Sequence, residues 1–470
     1  MRCSRGVFFI VLAILVVAFI HYATIVPGHD WGGDFSMYVH HAKNIVEGKG
    51  YSDTGYIFNP KTTIGPQNYP PGFPLILAPV YAVYGLDFMA FKAVITLFLL
   101  GLAVVFYLGF MRELSARYLV VVILVFSISP FMVKFKNNVL SDIPFTFFVY
   151  LSLYVINRNH GGDVRWWCPL LAGALMGYCY LIRPIGAVLP VALFAYDLIV
   201  FRRVSGFTLK SVCVFALFFV VNSAYFGDVY YYYKFIGERN LYDSLVVYSQ
   251  RLMKIGESSV QVVGIHSLII LAGYLAKVRR KITVYEVFAP LYVIPLLMVT
   301  YAEIRLLIPL APLLVFYAYY PAYWMESSTS RSGHVRLAGK VFFALLTIMI
   351  IFSYKNQMSR MDFGPVRNGP TSEVAGEMFD FIRENPSDGP YIFYKPRVMA
   401  LFTGKKASAR HRDWPVKEWE YCRSINATHI VEHTDKTYPI VETHLGQLDL
   451  VFSNWRYLVY EIRYDDGDGA

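Results

Sequence analysis

Four ionisable side chains could together perform a displacement in which a hydroxyl attacks and a phosphate leaves. Asp34 lies in the segment HDWGGDFSMYVHHAKNIVEGKGYS from His29 to Ser52, and Asp142 in SPFMVKFKNNVLSDIPF from Ser129 to Phe145. Arg183 lies in LIRPIGAVLP and Arg305 in YAEIRLLIPLAPLL, just after Glu303. A carboxylate can take the proton of an attacking hydroxyl as the new bond forms. A guanidinium recognises phosphate oxygens through a fixed fork of donors and keeps its charge. Two acids and two cations on one membrane face describe a site where a phosphate leaves and a hydroxyl attacks. Each residue also has a plainer role. Asp34, behind Gly32 and Gly33, and Asp142, before Pro144, suit helix N-caps, and both arginines suit snorkelling anchors. The roles are compatible. His29, His40 and His41 beside Asp30 and Asp34 invite a metal reading, but adjacent histidines on one helix point in different directions, so no metal is assigned.

The elements that must position these residues are membrane spans. Of 470 residues, 56% are apolar, 17% aromatic and 16% charged, with a mean hydropathy of +0.43. Disordered, coiled-coil, collagen-like and disulfide-scaffold classes are excluded, and a membrane protein is indicated. Stretches of spanning length recur near 7–26, 88–111, 119–135, 143–157, 166–182, 185–201, 208–226, 260–277, 283–301, 306–324 and 338–354. The first follows Arg2 and Arg5, lacks a small-residue cleavage site and reads as a retained helix. The run 74–84 is too short to span and reads as a half-helix or interfacial piece. With the N-terminus in the cytoplasm, alternate connections carry Arg112 and Arg117; Arg158 and Arg165; Arg202, Arg203 and Lys210; Lys277, Arg279, Arg280 and Lys281; and Arg331, Arg336 and Lys340. This satisfies the positive-inside rule. It places loops 27–73 and 227–259, and the tail 355–470, on the opposite side.

Residues 1–354 hold 28 Lys and Arg against 16 Asp and Glu, whereas 355–470 hold 15 against 17. The net charge of +10 therefore belongs to the membrane part and forms no clustered face for nucleic acid. Cysteines at 3, 168, 179, 213 and 422 build neither a disulfide framework nor a zinc site. In the tail, TSEVAGEMFDFIRE (371–384) predicts a helix burying Val374, Met378, Phe379 and Ile382. Strands are expected at Tyr391–Tyr394, Thr428–Val431, Leu448–Phe452 and Tyr457–Ile462. The fold class is thus a polytopic α-helical membrane protein of about eleven spans with a small C-terminal α/β extracytoplasmic domain. Asn426-Ala427-Thr428 is a sequon, and Tyr225–Tyr248 offers an interfacial aromatic surface.

The acidic first loop GGDFSMYVHHAKNIVEGKGY, the segment NYPPGFPLILAPVY (Asn68–Tyr81), LSDIPF at 140–145, the Arg-Pro of LIRP and EIRLLIPLAP occur in an order that resembles the C superfamily of membrane glycosyltransferases. That superfamily includes protein O-mannosyltransferases, lipid A aminoarabinose transferases and RgtA/B/C/D-like transferases. The resemblance implies an inverting hexosyl or pentosyl transfer from a polyprenyl-phosphate sugar donor to a lipid, glycan or protein acceptor. The reaction would occur at the periplasmic face of a bacterial inner membrane. Asp34 corresponds to the expected general base, and Asp142 to a second acid that orients the acceptor or holds a divalent cation. Arg183, Arg305 and Lys134 would neutralise the leaving phosphate, and Tyr38, Tyr69, Phe73 and Glu303 would line the donor and acceptor groove. Many members carry an Asp-Glu pair in the first loop; here Phe35 follows Asp34, which removes one candidate carboxylate and weakens an assignment to the mannosyltransferase branch specifically. Rival readings are a transporter or lipid-linked sugar flippase, against which stand charges at span ends and no repeated halves, and a non-catalytic scaffold acting through its tail.

Overall fold

The computed structural model describes residues 2–59, 62, 65, 68–161, 165–225, 241–256, 260–298, 303–327, 332–410, 416–435 and 439–464. The chain divides into two compact units, one comprising Met1–Ile25 and Lys92–Phe363, the other Val26–Phe91 and Gly364–Ala470. This division is spatial, whereas the boundary at 354 followed composition. It gathers the first long loop with the tail because the two share a sheet.

The first unit is helical, and each of the eleven apolar stretches corresponds to helix. Among the described residues six helices are long and apolar enough to cross a membrane: Gly6–Ala23, Phe88–Phe110, Pro184–Phe201, Gly206–Tyr225, Ile304–Ser327 and Gly333–Met358. The first four residues of the Phe88–Phe110 helix belong to the second unit. A seventh candidate span is a bent pair, Ala116–Ser127 and Pro130–Lys136, turned by 52°. The bend follows from Pro130, which cannot donate to the preceding turn, while the Ser129 hydroxyl caps the new helix at Met132 N (3.2 Å). The helices Cys168–Ile182 and Val284–Met298 are apolar but only 15 residues each.

Close packing here rests on small residues. Gly173 and Gly177 sit one turn apart on Cys168–Ile182, where it packs on Gly206–Tyr225. A Cβ at Gly173 would lie 2.4 Å from Ser211 O, and one at Gly177 2.4 Å from the Phe218 ring. This is the small-xxx-small contact that lets membrane helices approach. Two buried acids inside the unit are paired: Glu286 accepts from Thr283 N (2.8 Å), Thr283 Oγ1 (2.6 Å) and Tyr317 OH (3.3 Å), with Lys277 Nζ at 3.5 Å. His160 meets Asp197 at 2.6 Å. The stretch expected as loop 227–259 contains a helix, Leu241–Gly256. In it Tyr248 is buried, whereas Leu245 is exposed. Residues 226–240 and 257–259, which hold most of the aromatic run, lie outside the described residues.

The second unit is α/β. Its six-stranded sheet has the order β1-β3-β2-β4-β6-β5, with β1 at Tyr56–Ile57, β2 at Tyr391–Ile392, β3 at Ala407–Ser408, β4 at His429–His433, β5 at Leu448–Ser453 and β6 at Tyr457–Ile462. β1, β3, β2 and β4 run parallel, and β6 pairs antiparallel with β4 and β5. β1 comes from the first long loop. Gly55, at φ +67°, brings its backbone so close that an added Cβ would stand 3.2 Å from Lys405 O, and its carbonyl accepts from Ala407 N (3.0 Å). The expected helix at 371–384 forms as Glu373–Glu384 and buries Ala375, Met378, Phe379 and Ile382. At its N-cap, the Ser372 side chain donates to Gly369 O (2.7 Å) instead of accepting from the helix.

Candidate active site

In the second unit, the helix Gly33–Glu47 starts after Gly32, while Asp30 Oδ1 accepts from Gly32 N (2.9 Å). Asp34 therefore stands inside the first turn rather than at the cap, where its negative charge still favours the helix N-terminus. The helix is buried nearly all round, from Phe35 to Ala42 and again at Asn44, whereas Ile45 is exposed. The broad burial has a cause: helices Gly72–Tyr84 and Pro396–Thr403 both pack against it.

These neighbours assemble a polar chain around Asp34. Tyr69 OH donates to Asp34 Oδ1 (2.8 Å), and Arg397 Nη1 donates to Tyr69 OH (2.8 Å) while standing 3.6 Å from the same carboxylate oxygen. Arg397 is 3% exposed and Asp34 30%, so the cation is enclosed and the carboxylate accessible. Burial opposes the Arg397 charge, but Tyr69, Asp34 and Tyr56 outweigh it and hold the guanidinium above its usual range. The Tyr56 and Tyr69 rings flank it at 5.1 and 5.3 Å. Tyr38 stacks on Tyr69 at 4.9 Å and meets the Phe73 edge at 4.9 Å. The three aromatic residues read from the sequence as groove-lining thus gather beside Asp34.

His41 fixes the Tyr69 segment. Its Nε2 accepts from Tyr69 N (3.2 Å) and its Nδ1 faces Tyr51 O (2.8 Å), the pattern of a neutral ring with the proton on Nδ1. Burial keeps it neutral, lowering its pKa to about 4, and does the same to His40, at about 3. Lys395 lies in the field of Asp30 and Asp34, yet burial leaves its ammonium below the usual value.

In the first unit, Asp142 opens the helix Asp142–Asn159 one residue after its N-cap, Ser141. It is 2% exposed and ion-paired with Arg183 Nη1. Arg183 closes Cys168–Ile182 and precedes the 3-10 turn Pro184–Ala187, its guanidinium 6.0 Å from the Phe145 ring centre. Arg183 and Asp142 are thus partners of each other rather than separate contacts. Arg305 Nε pairs with Glu303 Oε2 at 2.8 Å, so Glu303 also serves an arginine. Tyr292 links the two pairs, since it lies in the field of Arg183 and Asp142 and donates to Leu306 O (3.2 Å). Lys134 is exposed, whereas Lys136 is buried, with Nζ donating to His21 O. The charge of Lys92, also buried, acts on Lys136.

Arg183 engages Oδ1 of Asp142, and among the described residues no three His, Cys, Asp or Glu side chains converge. Arg397, Lys395 and Lys92 escaped the sequence reading, and Lys136, beside Lys134, was given no role in it. Arg397 is separated from Tyr69 by 328 positions, and only its setting in a Lys-Pro-Arg triplet could have drawn notice. For Lys92, a lone charge in an otherwise apolar span was the available signal.

Residues 68–226 match the model of the dolichyl-phosphate-mannose-protein mannosyltransferase family. This segment holds Tyr69, Phe73, Lys92, Asp142 and Arg183 and excludes Asp34, Arg305 and the tail. A comparison with curated protein sequences finds no significant match. Among solved structures, ArnT from Cupriavidus metallidurans bound to undecaprenyl phosphate is 13% identical with a TM-score of 0.59, covering 98% of both chains. The oligosaccharyltransferase AglB from Archaeoglobus fulgidus, in complex with an inhibitory peptide and a dolichol-phosphate, is 12% identical with a TM-score of 0.60, over 91% of this chain and 69% of that one. The arabinofuranosyltransferase AftD from Mycobacteria is 11% identical with a TM-score of 0.54, over 98% of this chain and 40% of that one. The helical unit, the α/β unit built partly from the first loop, and these likenesses together show that the chain has the fold that these three solved structures share.

Proposed function

We propose that the protein is an inverting glycosyltransferase that takes a sugar from a polyprenyl-phosphate donor and passes it to a lipid, glycan or protein acceptor. One observation carries this reading: Asp34, accessible at a helix start, is held by Tyr69 and backed by the enclosed Arg397. The ligands of two structures of the same fold, undecaprenyl phosphate in ArnT and a dolichol-phosphate in AglB, support the donor class.

The acceptor hydroxyl attacks the anomeric carbon on the face opposite the phosphate and gives its proton to Asp34. The bond from that carbon to the phosphate oxygen breaks, and polyprenyl phosphate leaves with the electron pair. Tyr69 and Arg397 hold the carboxylate ionised and oriented until the hydroxyl becomes acidic in the transition state. Arg183 and Arg305, each preset by a carboxylate, stabilise the leaving phosphate, as does the exposed Lys134. Asp142 then acts through Arg183 as a positioning residue. The apolar spans keep the isoprenoid tail in lipid while the phosphosugar reaches water. The active face is extracytoplasmic, with the N-terminus cytoplasmic, as the basic connections indicate; in a bacterium this is the periplasmic side of the inner membrane.

The test is transfer of radiolabelled sugar from a polyprenyl-phosphate donor by purified protein. Asp34→Asn lowers the rate roughly 100- to 10,000-fold, the range of a lost general base, with an unchanged melting profile. Undiminished transfer by a folded Asp34→Asn protein removes Asp34 from the mechanism.

A further inference from the structure

A second concave site lies within the second unit, a cleft of about 260 Å³ lined by Trp31, Asn368, Tyr394, His433, Asp435 and Arg456. We propose that it is a saccharide subsite that holds one sugar ring of the acceptor; this rests on the transferase reading above and gives its acceptor a chemical class.

Composition is the first argument. Two aromatic side chains, Trp31 and Tyr394, with ring centres 5.7 Å apart, provide apolar planes of the kind on which the C–H faces of a sugar ring pack. Around them stand an amide, an imidazole, a carboxylate and a guanidinium, whose planar donors and acceptors match vicinal hydroxyls. The volume falls just below the roughly 300 Å³ at which pockets for drug-sized molecules begin, the size for one ring rather than an extended oligosaccharide.

The cleft is also built in advance. Trp31 Nε1 donates to Asn368 Oδ1 (3.0 Å). Its ring meets the edges of Phe379, Phe393 and Tyr457 at 5.9 to 6.3 Å. His433 packs on Tyr394 and Tyr457 at 4.8 and 5.0 Å. The turn between β5 and β6 is tied to the end of β4, since Thr434 N donates to Arg456 O (2.9 Å) and Thr434 Oγ1 to Trp455 O (2.7 Å). Asn454 anchors the same turn, accepting from Arg456 N (3.0 Å) and Tyr457 N (2.8 Å) while donating to Glu377 (2.9 Å). A preorganised cleft loses little entropy when it binds.

Position makes the occupant an acceptor. Trp31 precedes Asp34 by three residues, and Tyr394 is followed by Lys395, which lies in the field of Asp34. A ring in the cleft is therefore tethered to the segments that carry the candidate base, and an adjoining residue of the same glycan can present its hydroxyl to Asp34.

The full-length protein in sugar-free lipid nanodiscs is examined by saturation-transfer NMR against methyl glycosides of glucose, galactose, mannose and N-acetylglucosamine. At least one glycoside receives saturation, Trp31→Ala and Asp435→Asn each weaken its binding roughly tenfold, the loss of one good polar or stacking contact, and Trp31→Phe restores part of it. Unchanged melting temperatures separate this loss from misfolding. In the transfer assay, Trp31→Ala raises the acceptor KM and leaves the donor KM unchanged. No saturation of any glycoside, equal binding by the variants, or a raised donor KM each overturns the proposal. Transfer without glycoside binding would remove the subsite and leave the role of Asp34 standing; glycoside binding without transfer would do the reverse.

Discussion

Arg397 shows how one buried side chain can define a neighbour's chemistry. Its guanidinium, flanked by two tyrosine rings, reaches Asp34 both directly at 3.6 Å and through Tyr69. Replacing Tyr69 by Phe removes the hydroxyl that joins the two. The expected result is a fall in kcat of roughly tenfold with little change in KM, because orientation of the base matters in the transition state more than in substrate binding. Steady-state kinetics on Tyr69→Phe check this, and a change confined to KM would assign Tyr69 to substrate binding instead. Asp34 itself was legible from a single loop, since Gly-Gly-Asp before an amphipathic run announces a helix start. Its hydrogen-bond partner and its cation were not, because nothing local in the first loop specifies which tail residue will cover it.

At the scale of elements, two predictions concern packing and burial. Gly177→Leu forces a side chain into the Phe218 ring, where even a Cβ would stand at 2.4 Å. Overpacking of this kind costs about 1–3 kcal/mol. The Leu variant is expected to melt earlier in detergent and to lose monodispersity, as thermal scans with size-exclusion chromatography would show. In the α/β unit, Arg410 stands between two buried acids, hydrogen-bonded to Glu432 and 3.7 Å from Glu418. Burial pushes both carboxyls up, Glu432 to about 8 and Glu418 to about 7, against the pull of Arg410. The folded unit therefore binds more protons than the unfolded chain between pH 4.5 and about 8, and its stability falls as pH rises through that window. Hydrogen exchange at His429–His433, corrected for intrinsic rates, should be faster at pH 8 than at pH 6, and Glu432→Gln should reduce the difference.

For the whole molecule, the expectation that can be tested is topology. The proposed orientation, with the N-terminus in the cytoplasm and residues 355–470 on the other side, rests on the basic connections. A C-terminal alkaline phosphatase fusion should be active in a bacterial host, and a C-terminal green fluorescent protein dark; the opposite pattern would reverse the orientation. The helices fit the membrane assignment, and the candidate catalytic groups are divided between the two units, Asp34 in one and Asp142 in the other.

Much of this protein could be read along the chain. Apolar runs long enough to span a bilayer, the basic connections, the helix after Ser372 and the strands of β4, β5 and β6 are local properties of composition and period, and they survive wherever the segments end up. Bilayer insertion and helix formation act on stretches of about 20 residues, which is why the eleven apolar stretches proved helical, although not all are long enough to cross by themselves. Tertiary structure alone decided that the first loop donates β1 to the tail's sheet, that Asp142 is spent on Arg183, and that Arg397 closes over Tyr69 and Asp34. Hydrogen bonds and ion pairs act over a few ångströms in space and carry no memory of separation along the chain, so the partners of each charged group became definite only when the chain had folded.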